Sequence, residues 1–502
     1  MNIKTIKTEE VDKLYLPKTI TISKPELTEL KKVTFHFGSR KKELALEFLD
    51  ELSQNEMGLS HNVKEKMGIP DICFELTIMG DQIRIGPVIL YLVSKRLIKR
   101  LEILKERIEK SVSFDGLILL STVDGINTDE NQIEGYYFQP STNTEDAQWK
   151  EGVFPYPDAI FKRVVTSEEM TEHLYDKTNG RIFNSHYFNK WDMWEWLAPD
   201  SFIRRHLPYT QALTSLDDIY QMLDVYECVY LKPKSGSGGK GIIQVKKGQK
   251  GTYELTSQKK GLYQIEQLEN DPIIDKIIKN KEDYMIQQDV GYLHDTRNVD
   301  FRIYMQKNET QEWTCTGLIA RFGKPGSVTT NLRNLDYLLE GREAFRKLFN
   351  NSEHDLNQLE KKVKNICSYA CELLDQHGCF GDIAIDFILD NSGHVWILEM
   401  NKRYGYKSFS IIEDSLLYRK IIRKPFMYAS SLAGFHVKDK RKLQKKKQDQ
   451  LFINTMKKLL NNEPNVQPIV SDSCELVMFG KEIVHYQKSH HKSKDEKTES
   501  IH

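Results

Sequence analysis

The sequence predicts a mixed α/β (α+β) protein of several units, and three patterns carry that expectation. Short alternating runs broken by Gly, Pro and Asp dominate residues 33–95. Amphipathic helical stretches then alternate with buried-strand patterns, and a glycine-rich turn between two strand-like runs shares the second half of the chain with a long amphipathic helix. A chain of 502 residues exceeds one ordinary domain, so two or three compact units are expected.

Taken in order, residues 1–32 are polar and charged with weak periodicity and read as an N-terminal arm. Residues 33–95, with VTFHFG, ICFELTIMG and QIRIGPVILYLV, read as a small β-rich domain. Residues 96–185 read as an α/β segment: SKRLIKRLEILKERIEKSV spaces its apolar residues like a helix, and FDGLILLSTVDGI reads as a buried strand and turn. Residues 186–425 hold the densest chemistry and the helix around LEKKVKNICSYACELLDQHG. Residues 426–502 form a basic tail. Its run DKRKLQKKKQDQ reads first as a solvated face and second as a dock for an acidic partner, and QKSHHKSKDEKTESIH lacks core-forming residues and is expected to be disordered.

Composition excludes several classes. The 72 Lys plus Arg balance 72 Asp plus Glu, which argues against a globally basic nucleic-acid binder. Seven scattered cysteines fit reduced thiols better than a disulfide framework, and Cys367 and Cys371, at helical spacing in an apolar pattern, read as core. The N-terminus has no apolar signal region, and no run approaches the roughly 18 apolar residues of a membrane span. Cytoplasmic synthesis is the resulting expectation.

VYLKPKSGSGGKGIIQVKKG contains Gly236, Gly238 and Gly241 as a formal G-x-G-x-x-G, with Gly239 and Lys240 between them. A dinucleotide fingerprint opens a helix, but the β-branched IIQV follows here, so the loop joins two strands. A Walker A loop fails because Gly241 follows Lys240 and the leading glycine is missing. What remains is a flexible hairpin, either solvated or folded over a polyphosphate through backbone N–H groups, with Lys232, Lys234 and Lys240 beside it.

Downstream, CFGDIAIDFILDNSGHVWILEMNKRYG reads as two strands joined by a turn at Asp390 to Gly393. Asp386 alternates with Ile385 and Phe387, while Glu399 and Asn401, two apart, share a face. Antiparallel pairing gathers these oxygens into a site suited to Mg²⁺ whose remaining ligands are phosphates. An exposed polar face or a glycosidase-like carboxylate pair are the alternatives; a glycosidase would not need the glycine loop.

Together these residues resemble the ATP-grasp superfamily and, more narrowly, the YheC/YheD endospore coat-associated family. The matching stretches run in order over about residues 34–410: IRIGPVI, FPYPDAIFKRV, FNKWDMWEWL with HLPYT, VYLKPKSGSGGKGI, DFRIYMQK, IARFGKPGSVTTNL, and GDIAIDF with ILEMN. The resemblance implies an ATP-grasp fold of two α+β lobes after a pre-ATP-grasp-like segment. It makes Lys190 and Lys232 the ATP-phosphate lysines, places Gln287, Gln288, Asp289 and Val290 at the adenine hinge, and makes Asp300 a ribose contact. Arg302 and Arg321, with Asn331 nearby, would stabilise the transferring phosphate, and Asp386, Glu399 and Asn401 would hold the metal. ILEMNKRYG departs from a pattern such as EVNSKPG, so Lys402, Arg403 and Tyr404 would alter the acceptor pocket.

The implied activity is ATP- and Mg²⁺-dependent carboxylate–amine ligation through an acyl phosphate. Its partners would be ATP, a carboxylate substrate and an amine acceptor drawn from amino acids, peptides or coat protein, and the resemblance implies association with the endospore coat. The rivals are a spore-coat assembly protein that binds nucleotide without turnover, and a phosphotransferase.

Overall fold

In the computed structural model, the described residues are 1–6, 12–111, 114–139, 148–406 (without Ser237, Lys259, Tyr292, Val328, Leu332 and 350–351), 415–435, 475–479 and 482–486. Four sheets lie within one unit, residues 1–437. A separate unit, 438–502, contributes the antiparallel strands Glu475–Phe479 and Glu482–Tyr486. The basic run and the final stretch of the tail, with Cys474, lie outside the described residues.

The first sheet has seven strands and corrects the expectation of an N-terminal arm. Asn2–Ile6 and Lys13–Pro17 are strands in it, the latter lying between Glu56–Ser60 and Arg40–Leu49. Leu14, Tyr15 and Leu16 are buried because the short apolar run LYL has sheet neighbours on both sides. Such a run is too brief to announce its period among charged residues.

The second sheet is parallel at its centre, with Val88–Leu92 between Leu117–Ser121 and Ala159–Lys162. All three strands are buried throughout, as parallel strands covered on both faces require. The helix expected from SKRLIKRLEILKERIEKSV is two helices, Lys95–Ile98 and Leu101–Ser111, with Lys99 and Arg100 between them.

The third and fourth sheets carry the chemistry. The third is six-stranded and antiparallel; its core joins Val229, Leu231 and Val245 to Ile219, Met222 and Leu223 of helix Leu216–Tyr226 and to Ile274 and Ile277 of helix Pro272–Lys279. The fourth sheet runs Leu335–Glu340, Trp313–Gly323, Arg297–Lys307, Asp382–Leu389 and Val395–Asn401, all antiparallel. Val299, Phe301, Ile303, Ile383, Ile385 and Phe387 bury one face of it against the 22-residue helix Glu353–Leu374, which also buries Cys367 and Cys371.

Because strand side chains alternate, everything one residue out of phase faces the other way: Asp300, Arg302 and Asp386 at one end, Tyr304 and Ala384 at the other. The apolar end of that face packs on Ile421, Ile422, Phe426 and Ala429 of helix Ser415–Leu432, whose other contacts include Tyr91 and Phe161 of the second sheet. The charged end is left open.

Candidate functional site

The open end is the floor of a cleft of about 580 Å³ whose opposite wall is the third sheet and its glycine hairpin. On the floor, charges pair directly across strands. Asp300 is opposite Arg321, Arg302 opposite Asp386, and Asp386 opposite Glu399. Arg302 donates two hydrogen bonds to Asp386, at 2.7 and 2.8 Å, and Arg321 donates two to Asp300, both at 2.6 Å, while lying 3.2 Å from Asp386. Burial alone would raise the Asp386 pKa, but Arg302 and then Arg321 outweigh it and hold the carboxyl below its usual range. Asp386 is therefore a fixed negative charge.

Glu399 reaches the same place through an irregularity. Asp386 pairs with Glu399 but Phe387 pairs with Ile397, so Leu398 is an extra residue, a β-bulge. Val395 and Ile397 point into the core, and without the bulge Glu399 would follow them. With it, Leu398, Glu399 and Asn401 all line the cleft. The Asn401 amide lies 3.4 Å from Asp386.

The third sheet supplies the opposite charge. Lys232, near the end of strand Cys228–Pro233, donates to Gln287 on the neighbouring strand, and Gln287 donates to Thr210 at 2.8 Å. Burial first, then the Lys190 cation, lower the Lys232 pKa to about 8. Lys190 opens helix Lys190–Leu197, which starts there because Asn189 and Asp192 form a reciprocal capping box. Its ammonium is 3.7 Å from Glu399 and donates to the Gly236 carbonyl at 3.2 Å.

Strand Cys228–Pro233 pairs with Ile243–Lys247, so the glycine loop is a hairpin. Gly236, Gly238, Gly239 and Gly241 all have positive φ, a region side chains rarely adopt. Asn331, from the fourth sheet's loop, donates to the Gly238 carbonyl at 2.9 Å and ties hairpin to floor. Lys240, Gln287, Gln288, Asp289 and Val290 line the same cleft with Gly238, Gly239 and the floor residues, whereas Gly236 faces a neighbouring cavity and Gly241 lines neither. Asp289 accepts from Gln244 at 3.3 Å and Gln288 from the Tyr209 backbone at 3.0 Å.

Some lining residues have no forecast in the sequence. Thr330 donates to Asp300, and Tyr230, Ile242, Ile388 and Leu398 supply apolar surface. Only Ile388 had a legible signal, being two residues beyond Asp386 on the same strand.

Two carboxylates and one amide are donors of the kind a divalent cation such as Mg²⁺ takes, with phosphates completing its shell, while in this structure the Asp386 oxygens are held by Arg302 and Arg321 and the Asn401 amide nitrogen faces Asp386. Among the described residues no group of three or more His, Cys, Asp or Glu offers a fuller protein cage.

The family model described as YheC/D like ATP-grasp matches residues 179–432, which include the whole cleft. The chain belongs to the YheC/D-like ATP-grasp family. The endospore coat-associated protein YheD of Bacillus subtilis (strain 168) is 27% identical over 322 residues, covering 61% of this chain and 69% of YheD. YheC of the same organism, also named endospore coat-associated, is 23% identical over 296 residues, covering 56% and 79%. Among solved structures, the VanG D-Ala:D-Ser ligase from Enterococcus faecalis aligns with a TM-score of 0.43 and 11% identity, over 68% of this chain and 99% of that one. In this YheC/D-like ATP-grasp chain, no helix among the described residues is long and apolar enough to cross a membrane.

Proposed function

We propose that the protein is an ATP- and Mg²⁺-dependent carboxylate–amine ligase working through an acyl phosphate. The observation that carries this reading is the meeting of Lys190 and Lys232 with Asp386, Glu399 and Asn401 in one cleft under a glycine hairpin. Gln287, Gln288, Asp289 and Val290 would border the base and Asp300 the ribose. Lys190, Lys232 and Lys240, with the N–H groups of Gly238 and Gly239, would hold the phosphates.

Asp386, Glu399 and Asn401 would hold the cation, which supplies charge neutralisation between phosphate groups when bound. In the first step a substrate carboxylate oxygen attacks the γ-phosphorus, the bond to the β–γ bridging oxygen breaks, and ADP leaves. An amine then attacks the acyl carbon, phosphate departs with the former carboxylate oxygen, and the amine's surplus proton passes to solvent. Arg302 and Arg321, oriented by Asp386 and Asp300, would counter charge on the transferring group. The hairpin, closed over the cleft through Asn331, would exclude water from the acyl phosphate.

The relatives' names direct the substrate reading toward a spore-coat component, modified after synthesis in the cytoplasm. ADP release screened against amino acids and coat-protein fractions, with mass spectrometry of whatever gains mass, tests the proposal. An amide product supports it. A stable phosphate ester makes the protein a phosphotransferase, and MgATP binding without product makes it a binder.

A further inference from the structure

A second cavity, of about 420 Å³, adjoins the cleft, and Lys190, Glu399, Asn401 and Arg403 line both. Its charge is one-sided. Among the described residues four cations line it, Arg163, Lys190, Lys234 and Arg403, together with Lys402, whose pKa burial and then Arg403 lower to about 7, against the carboxylate of Glu399. Most of these charges are engaged within the protein. Arg163 donates to Tyr406 and to the Tyr404 carbonyl and lies 3.8 Å from Asp382. Lys402 donates to the Phe188 carbonyl at 2.7 Å, and Lys190 is turned to Glu399 and Gly236.

That leaves Arg403 and Lys234. Among the described residues neither has a carboxylate within 4.0 Å; Arg403 lies over the Tyr187 ring at 5.5 Å and Lys234 over Trp191 at 5.2 Å. Aromatic faces orient these cations without neutralising them. Arg403 is exposed, and Tyr187 beside it is 47% exposed, so the mouth of the cavity is open to a chain that continues into solvent.

We propose that this second cavity binds a peptide segment carrying neighbouring acidic side chains, with Arg403 and Lys234 holding the carboxylates that flank the one to be activated. The volume falls in the range of small-ligand pockets, and the shared residues would bring an inserted carboxylate toward nucleotide phosphates bound in the first cleft. The inference rests on the ligase reading for the fate of that carboxylate and deepens it by naming a substrate class.

The test uses the full chain saturated with MgADP and two fluorescent probes, a peptide of four consecutive glutamates and its glutamine counterpart, followed by anisotropy. The glutamate peptide should bind at least about tenfold more tightly, and added salt should erode the difference. With MgADP kept saturating, Arg403→Gln and Lys234→Gln should each weaken glutamate-peptide binding by about tenfold or more while binding of the glutamine peptide and thermal unfolding stay at wild-type values. Equal binding of the two peptides, or unchanged glutamate-peptide affinity in both variants, overturns the proposal. So does displacement by tripolyphosphate or glutarate at concentrations where unlabelled glutamate peptide does not compete, because the cavity then serves phosphate or a small dicarboxylate. If the acidic peptide binds but gains no mass with ATP and an amine, the ligase reading fails and the cavity assignment stands. If ATP-dependent ligation proceeds on other carboxylates and the acidic peptide is ignored, the reverse holds.

Discussion

Lys232 shows most directly how a single residue couples charge to ligand binding. A lysine held near pKa 8 loses its proton within the working range, and bound phosphates restore it. The sign follows: nucleotide binds the protonated form, so MgATP affinity should be level below about pH 7.5. It should fall as pH rises past about 8, by up to about tenfold per unit. Calorimetry in buffers of different ionisation enthalpy should register proton uptake in that window, and Lys232→Ala should remove both the uptake and most of the affinity. Glu399→Ala should lower turnover by on the order of 10²–10³-fold with little change in Tm, because this half-buried side chain does not support the core. Asp386→Ala is a poorer probe of chemistry. It strips Arg302 of its counter-charge and Arg321 of one of its two carboxylates, and should cost about 3–5 kcal/mol of stability as well. The placement of Asp386 was legible in the sequence because strand alternation alone puts it opposite the core face; that of Glu399 was not, since it depends on the bulge at Leu398. The guanidiniums locked onto Asp386 and Asp300 were not, since which strand lies beside which is a long-range outcome.

Among the elements, the glycine hairpin was readable and the bulge was not. A run of glycines before β-branched residues has a local cause, backbone freedom, and the positive φ at Gly236, Gly238, Gly239 and Gly241 is its counterpart in space. At Gly239 a Cβ would come within 2.9 Å of the Asn331 amide and 3.0 Å of Thr329, at a φ of 71°. Gly239→Ala should therefore weaken MgADP binding by about 1–2 kcal/mol, measured by calorimetry, with global stability unchanged. Leu398, by contrast, is an ordinary residue in WILEMN, and nothing in its chemistry marks it as the one without a partner. Deleting Leu398 should make the pairing regular and keep Glu399 on the cleft face, since it would then neighbour core-facing Ile397, so turnover should survive the deletion.

For the molecule as a whole, the two-lobed cleft emerged from motifs in the order they occur, whereas the role of the first 17 residues did not, their apolar run being short and hedged by charge. The helix Ser415–Leu432 unites the second sheet with the fourth through one apolar core, and Arg163 reinforces that union as the cation beside fully buried Asp382. Arg163→Ala should lower stability by about 3–5 kcal/mol in denaturant titration, since Asp382 would be left buried and uncompensated. Arg163 also fixes Tyr404 and Tyr406, and it lies upstream of residues 179–432, the stretch the family model covers. A fragment cut to those limits would leave behind the cation for Asp382 and the partners of half an apolar core. The cooperative interior is thus longer than the stretch the family model covers, and a chimera that exchanges that stretch alone would part Asp382 and its helix from the residues packed against them.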